Sequence, residues 1–179
     1  MKCNQPLTIA IDVDGVLLDL VTPWLERLHA RTGYKIYYED VKTFNIETLL
    51  PEYLRSTFTS FLDDTIYDYV QPVLDAPWGV MELAKMGHSL ILVTHCHPDR
   101  IASKMRAIRR FFPEVFSGVV VTKWKDCVNY DILIDDAIHN NPTILLNQPW
   151  NLGWDANEFS QRALSWNHIV SLMSDWGRW

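Results

Sequence analysis

Apolar residues in this chain fall into two kinds of segment: short unbroken blocks of strand length, and longer stretches in which they recur every three to four positions. The first block, Leu7-Thr8-Ile9-Ala10-Ile11, runs straight into Asp12-Val13-Asp14-Gly15. A block without polar alternation predicts a strand covered on both faces of a parallel sheet. Leu17, Leu20, Val21, Trp24, Leu25 and Leu28 then recur at helical spacing and predict a helix over 16–30. Pro23 is tolerated in its first turn, Asp19 or Thr22 is its expected cap, and Gly33 its expected stop. Residues 34–76 are rich in aromatics and acids but hold no apolar run of strand length, so a small helical insertion over the sheet's tip is expected there.

The pattern restarts at Pro77, which opens a predicted helix through Val80, Leu83, Ala84 and Met86 that stops at Gly87. A second strand block, Ser89–Val93, ends in Thr94-His95-Cys96-His97-Pro98. The predicted helix 98–112 carries Ile101, Met105, Ile108 and Phe112 on one face. Its basic residues, Arg100, Lys104, Arg106, Arg109 and Arg110, fall largely elsewhere and read as a solvated surface. Further strand blocks are Gly118–Val121, Ile132–Ile134 (followed by Asp135-Asp136) and Thr143–Leu146, and a closing helix is expected over 157–173. Strands separated by helical stretches require crossover connections, so the predicted fold class is α/β with a doubly wound parallel sheet.

Composition narrows the picture. A chain of 179 residues supports one sizeable core and would be crowded as two independent domains. A formal charge of −6 argues against a nucleic-acid backbone as the main partner, which would call for a basic stripe. Cys3, Cys96 and Cys127 are scattered without CxxC spacing, against both a disulfide framework and a zinc site. No apolar run nears the roughly 18 residues of a membrane span, and the first strand comes too early for a cleavable signal. A cytoplasmic, reducing compartment is the expectation.

The chemistry concentrates at strand ends. Asp12 and Asp14, two apart, would project to the same side of an extended strand, an arrangement that needs a cation or a shared proton for relief. The plainer reading makes them turn-forming residues of a solvated loop. A calcium loop of the EF type fails, because the third ligand position counted from Asp12 is Val16 and the twelfth is Pro23. A Mg²⁺ and phosphate site at the tip of a central strand remains, where open α/β sheets bind their ligands. Asp12/Asp14, Thr94 and Asp135/Asp136 would share one sheet edge, with Lys123 and Lys125 between the latter two.

That constellation, in that order, resembles the haloacid dehalogenase-like phosphohydrolase superfamily. Asp12-Val13-Asp14-Gly15-Val16 looks like its first motif, Thr94 its second, a lysine its third and Asp135-Asp136 its fourth. Within it the chain resembles the 5′(3′)-deoxyribonucleotidases, through residues 12–19, Asp131-Ile132-Leu133-Ile134-Asp135-Asp136 and Asn147-Gln148-Pro149-Trp150-Asn151. The resemblance implies a Rossmann-like core of residues 1–19 and 77–179 with a helical cap at 20–76.

It also implies Asp12 as nucleophile, Asp14 as acid and base, and phosphate held by Thr94, His95 and Lys125. Mg²⁺ would be held by Asp12, the Asp14 carbonyl and Asp136, with Asp135 either behind those ligands or at the substrate. Lys125, ten residues before Asp135, is preferred to Lys123 as the third-motif lysine. Leu20 departs from the pattern, standing where relatives carry an aromatic that helps hold the base. The expected substrate is a nucleoside monophosphate, a small molecule, with no nucleic-acid polymer and no membrane involved. A second copy of the chain is the one protein partner considered. The alternatives are a phosphatase of another small ester, such as a sugar phosphate, and a non-catalytic binding protein on the same scaffold.

Overall fold

The opening apolar block becomes strand β1 (Thr8–Ile11), and Ile9, Ala10 and Ile11 are shielded completely from solvent. The computed structural model describes residues 5–153 and 160–176. After β1 come β2 (Leu18–Asp19), α1 (Val21–Thr32), α2 (Glu52–Arg55), β3 (Gln71–Pro72), α3 (Ala76–Lys85) and β4 (Ser89–Thr94). The chain continues through α4 (Ile101–Phe111), β5 (Gly118–Val121), β6 (Ile132–Asp135), β7 (Ile144–Leu146), β8 (Gln161–Ala163) and α5 (Trp166–Asp175). Six strands form one parallel sheet in the order β5-β4-β1-β6-β7-β8. The chain winds outward from β1 to β5, then returns to the other side of β1 for β6 to β8. Strand order therefore reverses between β1 and β6, where the crevice of a doubly wound sheet opens at the strands' carboxyl ends.

Alternate residues of each strand face different cores. Ile9, Ile11, Leu90, Leu92, Ile132 and Ile134 join buried residues of α3, α4 and α5, including Val80, Leu83, Ile108, Trp166 and Ile169. The opposite face buries Ala10, Val93 and Leu133 against Val128 and Tyr130. Trp24, Leu25 and Leu28 of α1 form a third cluster with Val41, Leu50, Leu54 and Trp150. Trp24 also meets Phe58, ring centroids 5.1 Å apart. The stretch after β1 thus has a small apolar core of its own, keyed to the main body by Trp150.

Several boundaries differ from the periodicity reading. Residues 16–18 do not start a helix: the Val13 carbonyl accepts from the Val16, Leu17 and Leu18 amides, which curls the chain into a tight buried loop. Helix α1 begins after it, with the Asp19 carboxylate accepting from the Thr22 amide at 3.0 Å and Gly33 ending it at φ 72°. The insertion is helical chiefly through α1; the rest is short 3₁₀ turns and the four-residue α2. Its two ends are tied by the antiparallel pair β2–β3. The expected closing helix is shorter and is preceded by edge strand β8, because Ser165 caps α5 by accepting from the His168 amide at 3.2 Å. Positions 157–159 of that expected helix, like Cys3, lie outside the described residues. Cys96 and Cys127 are free thiols. Among the described residues, no helix is long and apolar enough to cross a membrane.

Candidate active site

Asp12 extends the β1 ladder by one residue, its amide donating to the Ile134 carbonyl at 3.0 Å, and this backbone pairing sets its side chain beside the end of β6. Asp12, Asp135 and Asp136 are all buried and offer carboxylate oxygens within 4.8 Å of one another. Lys125, buried as well, places Nζ 2.6 Å from both Asp12 Oδ1 and Asp135 Oδ2. Burial works against the charged Lys125, but the Asp12 and Asp135 carboxylates outweigh it and hold the ammonium well above its ordinary pKa. Burial, reinforced by the neighbouring carboxylates, raises the pKa of both Asp135 and Asp136. With all three carboxylates ionised, one ammonium leaves the cluster two charges negative. Lys123 is exposed and rests over the Trp124 ring.

The two adjacent aspartates at the end of β6 are engaged differently. Asp135 accepts from Lys125, from the Ala137 amide at 2.9 Å and from Asn140 Nδ2 at 2.8 Å. The Asp136 carboxylate accepts one hydrogen bond among the described residues, from Trp150 Nε1 at 2.6 Å. Asn151 Nδ2 holds the Asp136 and Leu146 carbonyls, each at 2.8 Å, and Gln148 Nε2 holds the Gly15 carbonyl at 2.5 Å. The stretch 147–151 is therefore a brace joining the ends of β1, β6 and β7. Gly15 has to be glycine here: φ is 76°, and a Cβ would sit 2.6 Å from Asp136 Oδ2.

Asp14, like Asp12, faces a cavity, but from beyond the strand. It lies in the turn past β1, and its carboxylate meets Lys104 Nζ at 2.7 Å and Tyr67 Oη at 2.9 Å from each oxygen. The two charges at Asp12 and Asp14 are thus relieved by separate lysines. Lys104 corrects the reading of helix α4 as a solvated basic face. Its side chain is completely buried and also donates to Thr94 Oγ1 at 2.9 Å and the His95 carbonyl at 3.2 Å. The buried face of α4 is Ser103, Lys104, Ala107 and Ile108. A signal was available: Lys104 stands three residues after Ile101 and four before Ile108, on the apolar stripe itself. Arg106 and Arg110 turn to the insertion, pairing with Asp68 and with the Asp68 and Val70 carbonyls.

The aspartates and Lys125 line this cavity, of about 680 Å³, to which the buried Lys104 does not contribute. Asp12, Asp14, Thr94, His95, Lys125 and Asp136 all contribute to its lining, so the residues singled out from sequence converge. Leu20, Phe44, Ile46, Phe58, Leu62 and Tyr67 line its other side. Among the described residues, the insertion supplies no lysine or arginine to that lining. Phe44 reaches across to His139 of the loop after β6, edge to face at 5.0 Å. Burial and the Asp14 charge push the Tyr67 phenol well above its ordinary pKa, so it stands as a donor.

The profile of the family described as 5′ nucleotidase, deoxy (pyrimidine), cytosolic type C protein (NT5C) matches residues 5–175. The 5′(3′)-deoxyribonucleotidase of Bacillus subtilis (strain 168) is 27% identical over 170 residues, 90% of this chain and 95% of that protein. Among solved structures, a haloacid dehalogenase-like family hydrolase from Streptococcus pneumoniae superposes with a TM-score of 0.63 at 13% identity, covering 94% of this chain and 98% of that one. A haloacid dehalogenase-type hydrolase of Bacillus subtilis, crystallised bound to magnesium, gives 0.58 at 14% identity, with 94% and 99% covered. At such identities these two likenesses concern the fold.

Proposed function

The chain belongs to the 5′ nucleotidase, deoxy (pyrimidine), cytosolic type C family of phosphoric monoester hydrolases, and we propose that it hydrolyses deoxynucleoside monophosphates with Mg²⁺, through a phosphorylated Asp12. The observation that carries this is the state of Asp12: one carboxylate oxygen is paired with Lys125, and the group faces the cavity beside Asp136.

The donor set fits a hard divalent cation. It is all oxygen, buried, and two charges short of neutrality with its carboxylates ionised. Asp12, Asp136 and the Asp14 carbonyl would hold Mg²⁺; Asp135, engaged by three donors, supports Lys125 and the loop instead. The metal supplies charge neutralisation for the phosphoryl group.

The chain's own residues do the rest. Lys125, Thr94 and the backbone after it bind and orient the phosphate, with His95 at its side, while the buried Lys104 holds Asp14 and Thr94 in place. An Asp12 oxygen attacks phosphorus in line; the P–O bond to the sugar breaks and its electron pair stays on the ester oxygen, which takes the proton of Asp14. Asp14, now a carboxylate, then draws a proton from the water that cleaves the phosphate from Asp12, restoring both groups. Residues 20–76 act as a cap that selects the leaving group. Their lining is mainly aromatic and aliphatic, with Asn45, Glu47 and Thr59 but no lysine or arginine, which suits a flat uncharged base better than a second phosphate.

Phosphate release from a panel of deoxynucleoside mono-, di- and triphosphates and sugar phosphates, with Mg²⁺ and with EDTA, tests the reading. Deoxynucleoside 5′-monophosphates are expected to lead, with pyrimidines favoured as the family description implies, and EDTA and Asp12→Asn to abolish turnover. A sugar phosphate with a higher kcat/KM than every deoxynucleotide would leave a phosphatase and overturn the nucleotidase.

A further inference from the structure

We infer that Tyr67 is a positioning residue that aims the Asp14 carboxyl group at the ester oxygen, so that docking of the insertion and competence of the acid are one event. The inference rests on the reading of Asp14 as the acid of phosphomonoester hydrolysis, and on the nucleotidase reading only for the choice of substrate.

The two partners of Asp14 constrain it differently. Lys104 touches Oδ2 alone, and its ammonium is shared with Thr94 Oγ1 and the His95 carbonyl. A single contact to one oxygen holds the carboxylate in place but leaves it free to rotate about its own axis. Tyr67 Oη stands 2.9 Å from both oxygens and so fixes the plane of the group. Asp14 needs this, since its side chain is 28% exposed and its backbone lies in a turn beyond the sheet.

Tyr67 is itself immobilised. It is buried, and the 3₁₀ turn Ile66–Asp68 that carries it is clasped by Arg106 on the Asp68 carboxylate at 3.1 and 3.2 Å. Arg110 adds the Val70 carbonyl at 3.0 Å. Both arginines and Lys104 belong to α4, so one helix supplies the lysine and, through the arginines, braces the tyrosine that meets it at the same carboxylate, with Lys104 Nζ 5.1 Å from the Tyr67 ring centroid.

In the step concerned, the phosphorus–oxygen bond breaks with its electron pair on the departing oxygen, and Asp14 gives that oxygen a proton. A sugar alkoxide requires the proton; p-nitrophenolate leaves without it. The quantity kcat/KM counts only the steps up to departure, so later hydrolysis of phosphorylated Asp12 does not enter the comparison.

The test compares wild type with Tyr67→Phe, which keeps the ring and deletes the donor, on a deoxynucleoside 5′-monophosphate and on p-nitrophenyl phosphate. The nucleotide kcat/KM is expected to fall about tenfold or more while the aryl ester stays within about twofold. Equal losses on both esters, or no loss on either, would overturn the inference. Should the variant lose its thermal unfolding transition, the double variant Arg106→Ala/Arg110→Ala loosens the turn with Tyr67 and Asp14 intact, and the same ratio decides. A wild type that cleaves some other alkyl phosphate but no nucleotide defeats the nucleotidase reading alone, and the ratio is then taken with that alkyl ester.

Discussion

The ammonium of Lys104 stands 2.7 Å from the carboxylate of Asp14, ninety positions earlier in the chain. A lysine with no solvent exposure keeps its charge only if charged or polar partners replace its water, and here the aspartate, Thr94 and a carbonyl do so. The pair joins the turn after β1 to the end of its neighbour β4, and both strand ends open on the cavity.

Lys104→Met, close to isosteric, is expected to lower kcat/KM at least about a hundredfold, or roughly 2.7 kcal/mol. The same helix offers its own control in the exposed Arg109, whose replacement by alanine is expected to stay within about twofold. Comparable losses in the two variants would show that charge along the helix, and not the buried contact, matters.

Lys125→Ala is expected to cost at least about tenfold in turnover, near 1.4 kcal/mol, because it leaves Asp12 and Asp135 facing each other without their common ammonium. Lys123→Ala, exposed over Trp124, should be milder. Steady-state kinetics giving the reverse order would move the third-motif lysine to position 123.

Trp150→Phe removes the indole donor to Asp136 while keeping an aromatic ring against Tyr38, 6.0 Å away. Hydrogen bonds that orient a metal-binding carboxylate are typically worth about 10–100-fold in metal affinity. The Mg²⁺ concentration for half-maximal activity is therefore expected to rise about tenfold; an unchanged metal titration would remove Asp136 from the ligand set.

Asp63 tests the internal bracing of the insertion, where it pairs with Arg27 of α1. Its slight burial works to raise its pKa, but hydrogen bonds from Arg27 and Thr65 and the Arg27 charge outweigh it and bring it from about 3.8 down to about 2. A depressed folded-state pKa means stability that is fully present above about pH 4 and lost as pH falls through about 2. Since Asp63 is 36% exposed, solvent screens the pair, and Asp63→Asn should cost only about 0.5–1 kcal/mol. Urea titrations should show that difference at pH 6 and its narrowing below pH 4. A gap independent of pH would assign it to packing.

By itself the sequence determined the parallel α/β scaffold and the convergence of Asp12, Thr94, Lys125 and Asp136 on one edge. Unbroken apolar blocks dictate buried strands, and parallel strands necessarily bring their carboxyl ends together. It was silent where side chains answer to partners distant in the chain. Lys104 lies on the apolar stripe of α4, yet helical periodicity carries no record of the Asp14 and Thr94 groups that make its burial tolerable. Tyr67 reads as one more core aromatic, because burial of its ring is a local property whereas its hydroxyl's bond to Asp14 spans 53 positions. The pair Asp135-Asp136 is symmetric on paper. Only the fold gives the first to Lys125 and Asn140 and the second to Trp150, because the donors come from different segments that tertiary packing brings to the end of β6.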